Sequence, residues 1–491
     1  MADSQQLVLS SRAPLRSRRD RAEDRKELHR VRKELRPDKH RVEAEREARE
    51  FTFSKMPRGG WKLDQNLRGR TRVDPPAHRA SSKTLGAAYP FLTESGEILR
   101  GPYIGENMLS RSPFCFDMWD AYDDGVIKSH SVAILGVKGS GKSMLAKSWA
   151  SRLALMGRHI AVPHDPNAEW SKVAAYVGGK TVAVGPGIDA KVNLLDPGTP
   201  DESLTAQAWR AQVLADRRAT LKAVVNLLRK TIDLAPEEHT ALDDALADLD
   251  TNATVTVVDA FHKLREHSKD PDEDIAHASR RLAHTLRRLV AGDLAGPFDG
   301  PSTIRFDPTA PIMTVDTSRL KNANPEMQAL SRLATSAWVR NATSGSNRGK
   351  RVVVHEEAAI ALMNEVHGGS GLKDRVADEK TARHAGTSNW YLLHRIADLD
   401  ALGDEGSAMQ TQARGLLADC ETRVSYQQHA GEIARSSRML GWNRTMGDVV
   451  RKLGKGQGLW QIGPDRLAMV RNKLTDLEYD TFRTDAQGGP R

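Results

Sequence analysis

Two hydrophobic periods alternate along the chain. Near-continuous apolar runs occur at Ser131-Val132-Ala133-Ile134-Leu135, His159-Ile160-Ala161-Val162-Pro163, Thr181-Val182-Ala183-Val184, Ile312-Met313-Thr314-Val315-Asp316, Arg351-Val352-Val353-Val354 and Asn389-Trp390-Tyr391-Leu392-Leu393. Short runs of this kind, bounded by turn residues, are what strands buried on both faces of a parallel sheet look like. Thr422-Arg423-Val424-Ser425-Tyr426 reads as a further strand, and Gly458 to Gly463 with Leu467 to Val470 predicts a closing hairpin. Between these runs the period lengthens to that of a helix. Met144 to Met156 reads as one helix, and a helical pair is expected around Met439 to Leu453. From Asp201 to about Leu294 the pattern is helical throughout, as in Leu221, Val224, Val225, Leu227 and Leu228, then Leu242, Leu246 and Leu249, then Leu282, Leu286 and Leu289. Strands alternating with helices predict an α/β fold around a central, mostly parallel sheet, interrupted by an all-α insertion. That insertion reads either as a lid or subunit contact or as a merely structural part.

The first part of the chain follows neither pattern. From Arg12 to Glu50 nearly every residue is charged or small, with Leu28, Val31 and Leu35 forming a thin apolar stripe that stops at Pro37. This reads as a charged N-terminal helical arm, either a partly disordered solvated tail or a docking or nucleic-acid-binding arm. Residues 54–83, with Gly59-Gly60, Pro75-Pro76 and Ser81-Ser82, form a linker or extended wrap. Aromatics and strand formers return between Tyr89 and Lys128 and predict an edge hairpin. The expected organisation is an arm and linker over 1–88, a first part of the core over 89–200, the α-helical insertion over 201–296, a second part of the core over 297–485, and a frayed tail over 486–491.

Charge sharpens this division. The chain has 491 residues and a formal net charge of +9. Residues 1–100 carry 24 Lys+Arg against 15 Asp+Glu, so the entire excess lies there. Nonspecific attraction to nucleic acid or to an anionic membrane therefore belongs to the arm, and the remaining body is neutral. Cys115 and Cys420 are the only cysteines, too few for a disulfide framework and without metal-ligand spacing, which favours a reducing cytoplasm. No apolar run approaches the roughly 18 residues of a spanning helix, and Met1-Ala2-Asp3-Ser4 does not open like a signal peptide. The expectation is a soluble cytoplasmic protein, or one recruited to the inner face of a membrane by partners.

Chemistry concentrates at strand ends. Gly136-Val137-Lys138-Gly139-Ser140-Gly141-Lys142-Ser143 satisfies every fixed position of the G-x-x-x-x-G-K-[ST] phosphate loop, between an apparent strand and the helix that opens at Met144. In that setting successive backbone N–H groups cradle phosphates, Lys142 reaches the β- and γ-phosphates, and the Ser143 hydroxyl ligates Mg²⁺. ATP and Mg²⁺ are the expected cofactors. Asp165 and Glu169, after the second strand, are either in the Mg²⁺ and phosphate neighbourhood or turn and cap residues. The run Arg351 to Val354 ends in His355-Glu356-Glu357, as a Walker B strand requires. One acid holds Mg²⁺ through water and the next polarises the attacking water. Glu356 is assigned to the metal and Glu357 to the base, with His355 and Glu356 as the rival register. His394-Arg395 ends the next strand, either as a γ-phosphate sensor or as a surface ion pair. Glu356 or Glu357 is expected close to Ser143 across adjacent strand ends, with His394 facing the same crevice.

The landmarks, taken in order, resemble the type IV secretion and conjugation ATPase family, the TraC-like members of the FtsK/HerA-type P-loop ATPases. The resemblance covers about Tyr89 to Asp485 and is carried by Pro113-Phe114-Cys115-Phe116-Asp117, the phosphate loop, Asp165-Pro166-Asn167-Ala168-Glu169-Trp170, Asn193-Leu194-Leu195-Asp196, Pro297-Phe298-Asp299-Gly300, Glu356-Glu357-Ala358, Arg383 and the segment Gly458 to Val470. It implies a P-loop NTPase of the RecA/FtsK-like class and a homo-oligomeric, hexameric ATPase that powers transfer at a membrane-bound secretion or conjugation channel. It also implies an arginine acting in trans on the neighbouring subunit's nucleotide, for which Arg383 is the candidate, followed by Arg395 and Arg423. Three positions differ from the family pattern. The Asp-Glu of the Walker B strand is Glu356-Glu357, the Thr-Gln sensor is His394-Arg395, and the large N-terminal domain is reduced to the arm. A DNA translocase or packaging ATPase of the same superfamily, and a nucleotide-binding scaffold with weak hydrolysis, are the alternative functions.

Overall fold

The structure, a computed structural model, describes residues 100–200, 203–231, 233–249, 254–343, 349–356, 386–397 and 415–483. In chain order the strands are β1 (Tyr103–Asn107), β2 (Pro113–Cys115), β3 (Val132–Leu135), β4 (His159–Asp165), β5 (Lys180–Ala183), β6 (Ile312–Asp316), β7 (Arg351–His355), β8 (Thr387–Leu393), β9 (Thr422–Ser425), β10 (Gln457–Ile462) and β11 (Arg466–Asn472). They form one sheet in the order β2-β1-β11-β10-β9-β3-β8-β7-β4-β6-β5. From β9 to β5 every neighbouring pair is parallel. The remaining strands extend the β9 edge in antiparallel pairs, with the β10–β11 hairpin inside and the β1–β2 hairpin at the margin. The mostly parallel α/β sheet expected from the short apolar runs is therefore present.

Alternation along the strands sends side chains to two packed faces. Val132 and Ile134 of β3, Ile160 and Val162 of β4, Val352 and Val354 of β7, and Trp390 and Leu392 of β8 share a core with the Lys142–Leu155 helix. On the opposite face Ala161, Val182, Met313 and Val315 pack under the helices Ala206–Arg229, Pro236–Ala247, Val257–His267 and Glu273–Ala291, which lie between β5 and β6. Ala133, Leu135, Tyr391 and Leu393 instead meet the helices Ala430–Leu440 and Arg444–Lys452. Strands enclosed on both faces need no polar alternation, which is why their sequences read as continuous apolar runs.

The helix after β3 is pinned by aromatic packing. Trp149 lies 4.3 Å from Trp390, 5.2 Å from Trp460 and 5.8 Å from Phe116, ring centre to ring centre. Its indole N–H also donates to the Phe116 carbonyl at 3.2 Å. Near the helix C-terminus, Arg152 donates through Nε and Nη2 to the two carboxylate oxygens of Glu478 at 2.8 and 2.6 Å. Glu478 in turn closes a capping box with Thr475 at the start of the Asp476–Phe482 helix. The helix carrying the phosphate-loop lysine is thereby fixed at its middle and at its far end.

Candidate nucleotide-binding site

The phosphate loop leaves β3 at the centre of the parallel strands. Gly136 N–H donates to the Leu393 carbonyl of β8 at 3.3 Å, and Val137 N–H donates to the Gln427 carbonyl beyond β9 at 3.0 Å. Gly456 N–H reaches the Ser140 carbonyl at 2.9 Å from the turn that precedes β10. Two loop glycines are required by close approach. A Cβ on Gly136, whose φ is +152°, would sit 2.5 Å from the Tyr426 Cβ, and one on Gly141, at φ +114°, would sit 3.1 Å from the Gly456 backbone. Gly139 differs: at φ +80° it has nothing within 4 Å of a Cβ position, so the tip of the loop faces open space. Lys138 beside it is exposed, whereas Ser140 is buried with a hydroxyl oxygen that has no hydrogen-bond partner.

The helix begins at Lys142 with Gly141 as N-cap in a left-handed conformation and no side-chain cap bond. Its first amides and the positive end of its dipole point toward the loop, which suits an anion. Lys142 is 5% exposed. Its Nζ donates to the carbonyls of Gly136 and Val137, the latter at 3.1 Å, and lies 3.1 Å from His394 Nδ1. An ammonium has only donors, so Nδ1 accepts and the imidazole carries its proton on Nε2. Ser143 and Met144 are half-buried on the first helical turn. These residues fit a nucleotide triphosphate and Mg²⁺: an uncapped helix start, an open glycine tip, a lysine held at the loop by weak neutral acceptors, and a hydroxyl next to that lysine.

The acids occupy the same face of the sheet, farther along it. Val352 and Val354 face the phosphate-loop helix, and Glu356 continues that alternation. Its carboxylate accepts from the Trp170 indole N–H at 2.8 Å. Burial pushes Glu356 up to about 7, opposed by the Trp170 hydrogen bond and by Lys147. His355 points to the other face, where it stacks on Tyr391 at 5.2 Å with the ring planes 15° apart. Asp165 accepts from the backbone N–H groups of Glu169 at 3.1 Å and Trp170 at 2.8 Å, so it caps the start of the Trp170–Tyr176 helix. Burial raises its pKa against those two bonds. Glu169 pairs at 2.5 Å with Lys147, whose side chain is 1% exposed. Of the two readings of this turn, Asp165 takes the capping one.

His394 and Lys142 are brought together, and Glu356 shares their face. One expectation needs correction: β8 lies between β3 and β7, so Glu356 does not stand on a strand next to the phosphate loop. Insertion of a long-range parallel strand between two others leaves no local trace in sequence. Arg395 is exposed beside His394. Arg423 aligns with Ala133 near the start of β3, toward the end of the sheet away from the loop, and donates to the Ala418 carbonyl at 2.7 Å. Glu357 and Arg383 lie outside the described residues. Sequence reasoning missed the wall formed by Tyr426 and Gly456, and it missed Trp170 and Lys147 as neighbours of Glu356. Lys147 did leave a signal, a lysine within the apolar stripe of Leu145, Ala146 and Trp149.

With this geometry in hand, solved structures supply the decisive likeness. VirB4 of Thermoanaerobacter pseudethanolicus superimposes with a TM-score of 0.61 at 19% identity, covering 78% of this chain and 98% of that one. The chain has the VirB4 fold. The plasmid coupling protein TrwB, in complex with the non-hydrolysable ATP analogue ADPNP, matches with a TM-score of 0.50 at 15% identity, over 81% of this chain and 93% of TrwB. No protein-family profile matches the chain, and no curated protein matches it by sequence. Among the described residues no helix is long and apolar enough to cross a membrane.

Proposed function

We propose that this chain is an ATP-binding and ATP-hydrolysing motor subunit that energises conjugative DNA transfer or type IV secretion. The observation that carries the reading is the phosphate loop held between the ends of β3, β8 and β9, with Lys142 drawn in by two loop carbonyls and His394. Lys142 would exchange these neutral acceptors for phosphate oxygens, a stronger charge-assisted partner. Backbone N–H groups of the loop would hold the same phosphates, and Ser143 would hold Mg²⁺. The metal supplies charge neutralisation and orientation of the phosphate chain. Glu356, on the helix-side face, supports the register in which it serves the metal and Glu357 the water. His355, stacked on the opposite face, argues against the rival register. In this reading the subunit works as a homo-oligomer, a hexamer, at a membrane-bound channel, with Arg383 acting in trans and the basic arm available to nucleic acid.

The test is Mg²⁺-dependent ATP turnover together with equilibrium binding of a fluorescent nucleotide. Lys142→Ala is expected to weaken nucleotide binding by roughly 10- to 150-fold, the loss of a charged hydrogen-bond partner. Wild-type protein that neither binds nor turns over Mg-ATP in any oligomeric state would overturn the reading. A second reading, a nucleotide-driven scaffold with slow hydrolysis, is favoured by His394: an imidazole next to Lys142 stands where a water-orienting amide is expected. His394→Gln should then raise turnover.

A further inference from the structure

Resting on the nucleotide reading above, we infer that Trp170 is a positioning residue for the metal-side acid: its indole N–H fixes the Glu356 carboxylate toward the phosphate-loop helix. The hydrogen bond from Trp170 Nε1 to Glu356 Oε1 is 2.8 Å long and ties the end of β7 to the Trp170–Tyr176 helix that follows its neighbour β4. Trp170 itself is fully buried and immobilised from two sides. Its backbone N–H is held by Asp165 Oδ2 at 2.8 Å, and its ring lies in the core shared by the strands and the phosphate-loop helix. Asp165, 1% exposed, also holds the Glu169 N–H, so the whole turn is fixed by one carboxylate.

The choice of donor matters. An indole N–H donates and does nothing else, and it is neutral. It therefore orients a carboxylate while leaving its negative charge to a cation, which an arginine or lysine at this position would cancel. The nearby lysine is already committed: Lys147 pairs with Glu169 at 2.5 Å. One Glu356 oxygen is engaged by Trp170, and the other would be the one offered to a hydrated Mg²⁺. Outer partners that orient a ligating group tune metal affinity, typically by about 10- to 100-fold. The longer glutamate side chain, where the family pattern has aspartate, has one more rotatable bond to restrain, which gives the indole a task.

The experiment compares wild type, Trp170→Phe and Glu356→Gln as full chains, using equilibrium binding of a fluorescent ADP analogue with and without Mg²⁺. Trp170→Phe is expected to raise the Mg²⁺ concentration for half-maximal enhancement roughly tenfold, the loss of one hydrogen bond to a charged group. Metal-free nucleotide affinity should stay unchanged, and the shift should vanish when Trp170→Phe is made in the Glu356→Gln background. An unchanged Mg²⁺ requirement, or a shift that persists in that background, overturns the inference. A second measurement needs no change at Trp170: in protein with ¹⁵N-labelled tryptophan, the indole signal displaced by Glu356→Ala should also move on addition of Mg-nucleotide. An indole signal indifferent to Mg-nucleotide overturns the inference as well. Wild type that binds no nucleotide under any condition overturns the nucleotide reading and this inference together, whereas wild type that binds with a Mg²⁺ requirement shared by Trp170→Phe overturns this inference alone.

Discussion

Residues in the phosphate loop owe their identity to two different constraints, and substitution can separate them. Gly141 is constrained by space: a Cβ there would meet the Gly456 backbone at 3.1 Å, and neither backbone segment has a flexible end to yield. Gly139 is constrained by conformation alone, with φ at +80° and open surroundings. Gly139→Ala is therefore expected to destabilise by about 1–2 kcal/mol, the left-handed penalty of a residue with a Cβ. Gly141→Ala adds displacement of the Gly456 turn, so a larger loss is expected, with nucleotide affinity falling alongside stability. Chemical denaturation and nucleotide titration of the two variants measure both effects; equal losses would remove the Gly456 contact from the account of the loop. The motif itself was legible in sequence because its spacing is local. Tyr426 and Gly456, which form the wall behind it, were not, because they arrive from the far end of the chain through the pairing of β9 with β3 and β10.

Among the elements, the phosphate-loop helix is the one on which others converge. Trp149 anchors its middle to Trp390, Trp460 and Phe116, and Arg152 ties its last turn to Glu478 and to the carbonyls of Tyr103 and Lys473. Glu478 is 3% exposed, so removal of its partner strands a nearly buried carboxylate. Arg152→Met is expected to destabilise by about 3–5 kcal/mol, the range for breaking one side of a buried pair. The Arg152 hydrogen bonds hold Glu478 below the usual carboxylate range against a burial effect that pushes the other way. Loss of the Asp476–Phe482 helix should be visible as early amide exchange in that segment; exchange no faster than in wild type would show that its packing on the helix suffices. The elements themselves were largely readable. The parallel strands announce themselves as unbroken apolar runs, and the antiparallel hairpin of β10 and β11 is bounded by turn residues around Gly463. What could not be read was which strands are neighbours. The placement of β8 between β3 and β7 displaced Glu356 from its expected position and made Trp170, on β4's side, its partner.

For the whole molecule, the enclosure that produces those apolar runs also traps histidines, and this sets a pH dependence of stability. His164 follows β4's buried centre, accepts or donates at Nδ1 to the Thr317 hydroxyl at 2.9 Å, and is driven down to about 3 by burial, with Arg332 adding to the effect. His130, just before β3, is driven down to about 4 by burial, with Lys350 acting in the same direction and Asp123 and Asp117 opposing. In the unfolded chain both protonate near 6.5. Between that value and their folded values the unfolded state binds more protons, so stability rises with pH and is lost as pH falls. The contribution is complete above about pH 6.5 and declines below it by up to about 1.4 kcal/mol per pH unit for each histidine. Both act down to about pH 4, and His164 alone acts below that. Urea denaturation at a series of pH values from 7.5 to about 4.5 should show this slope, and His164→Gln should reduce it while keeping a hydrogen-bonding side chain beside Thr317. Because His164 lies behind the Asp165 turn on a strand remote from the phosphate loop, nucleotide affinity at pH 7.5 should be unaffected by the change. A slope identical in the variant would place the acid sensitivity of the fold elsewhere and leave His164 without a part in it.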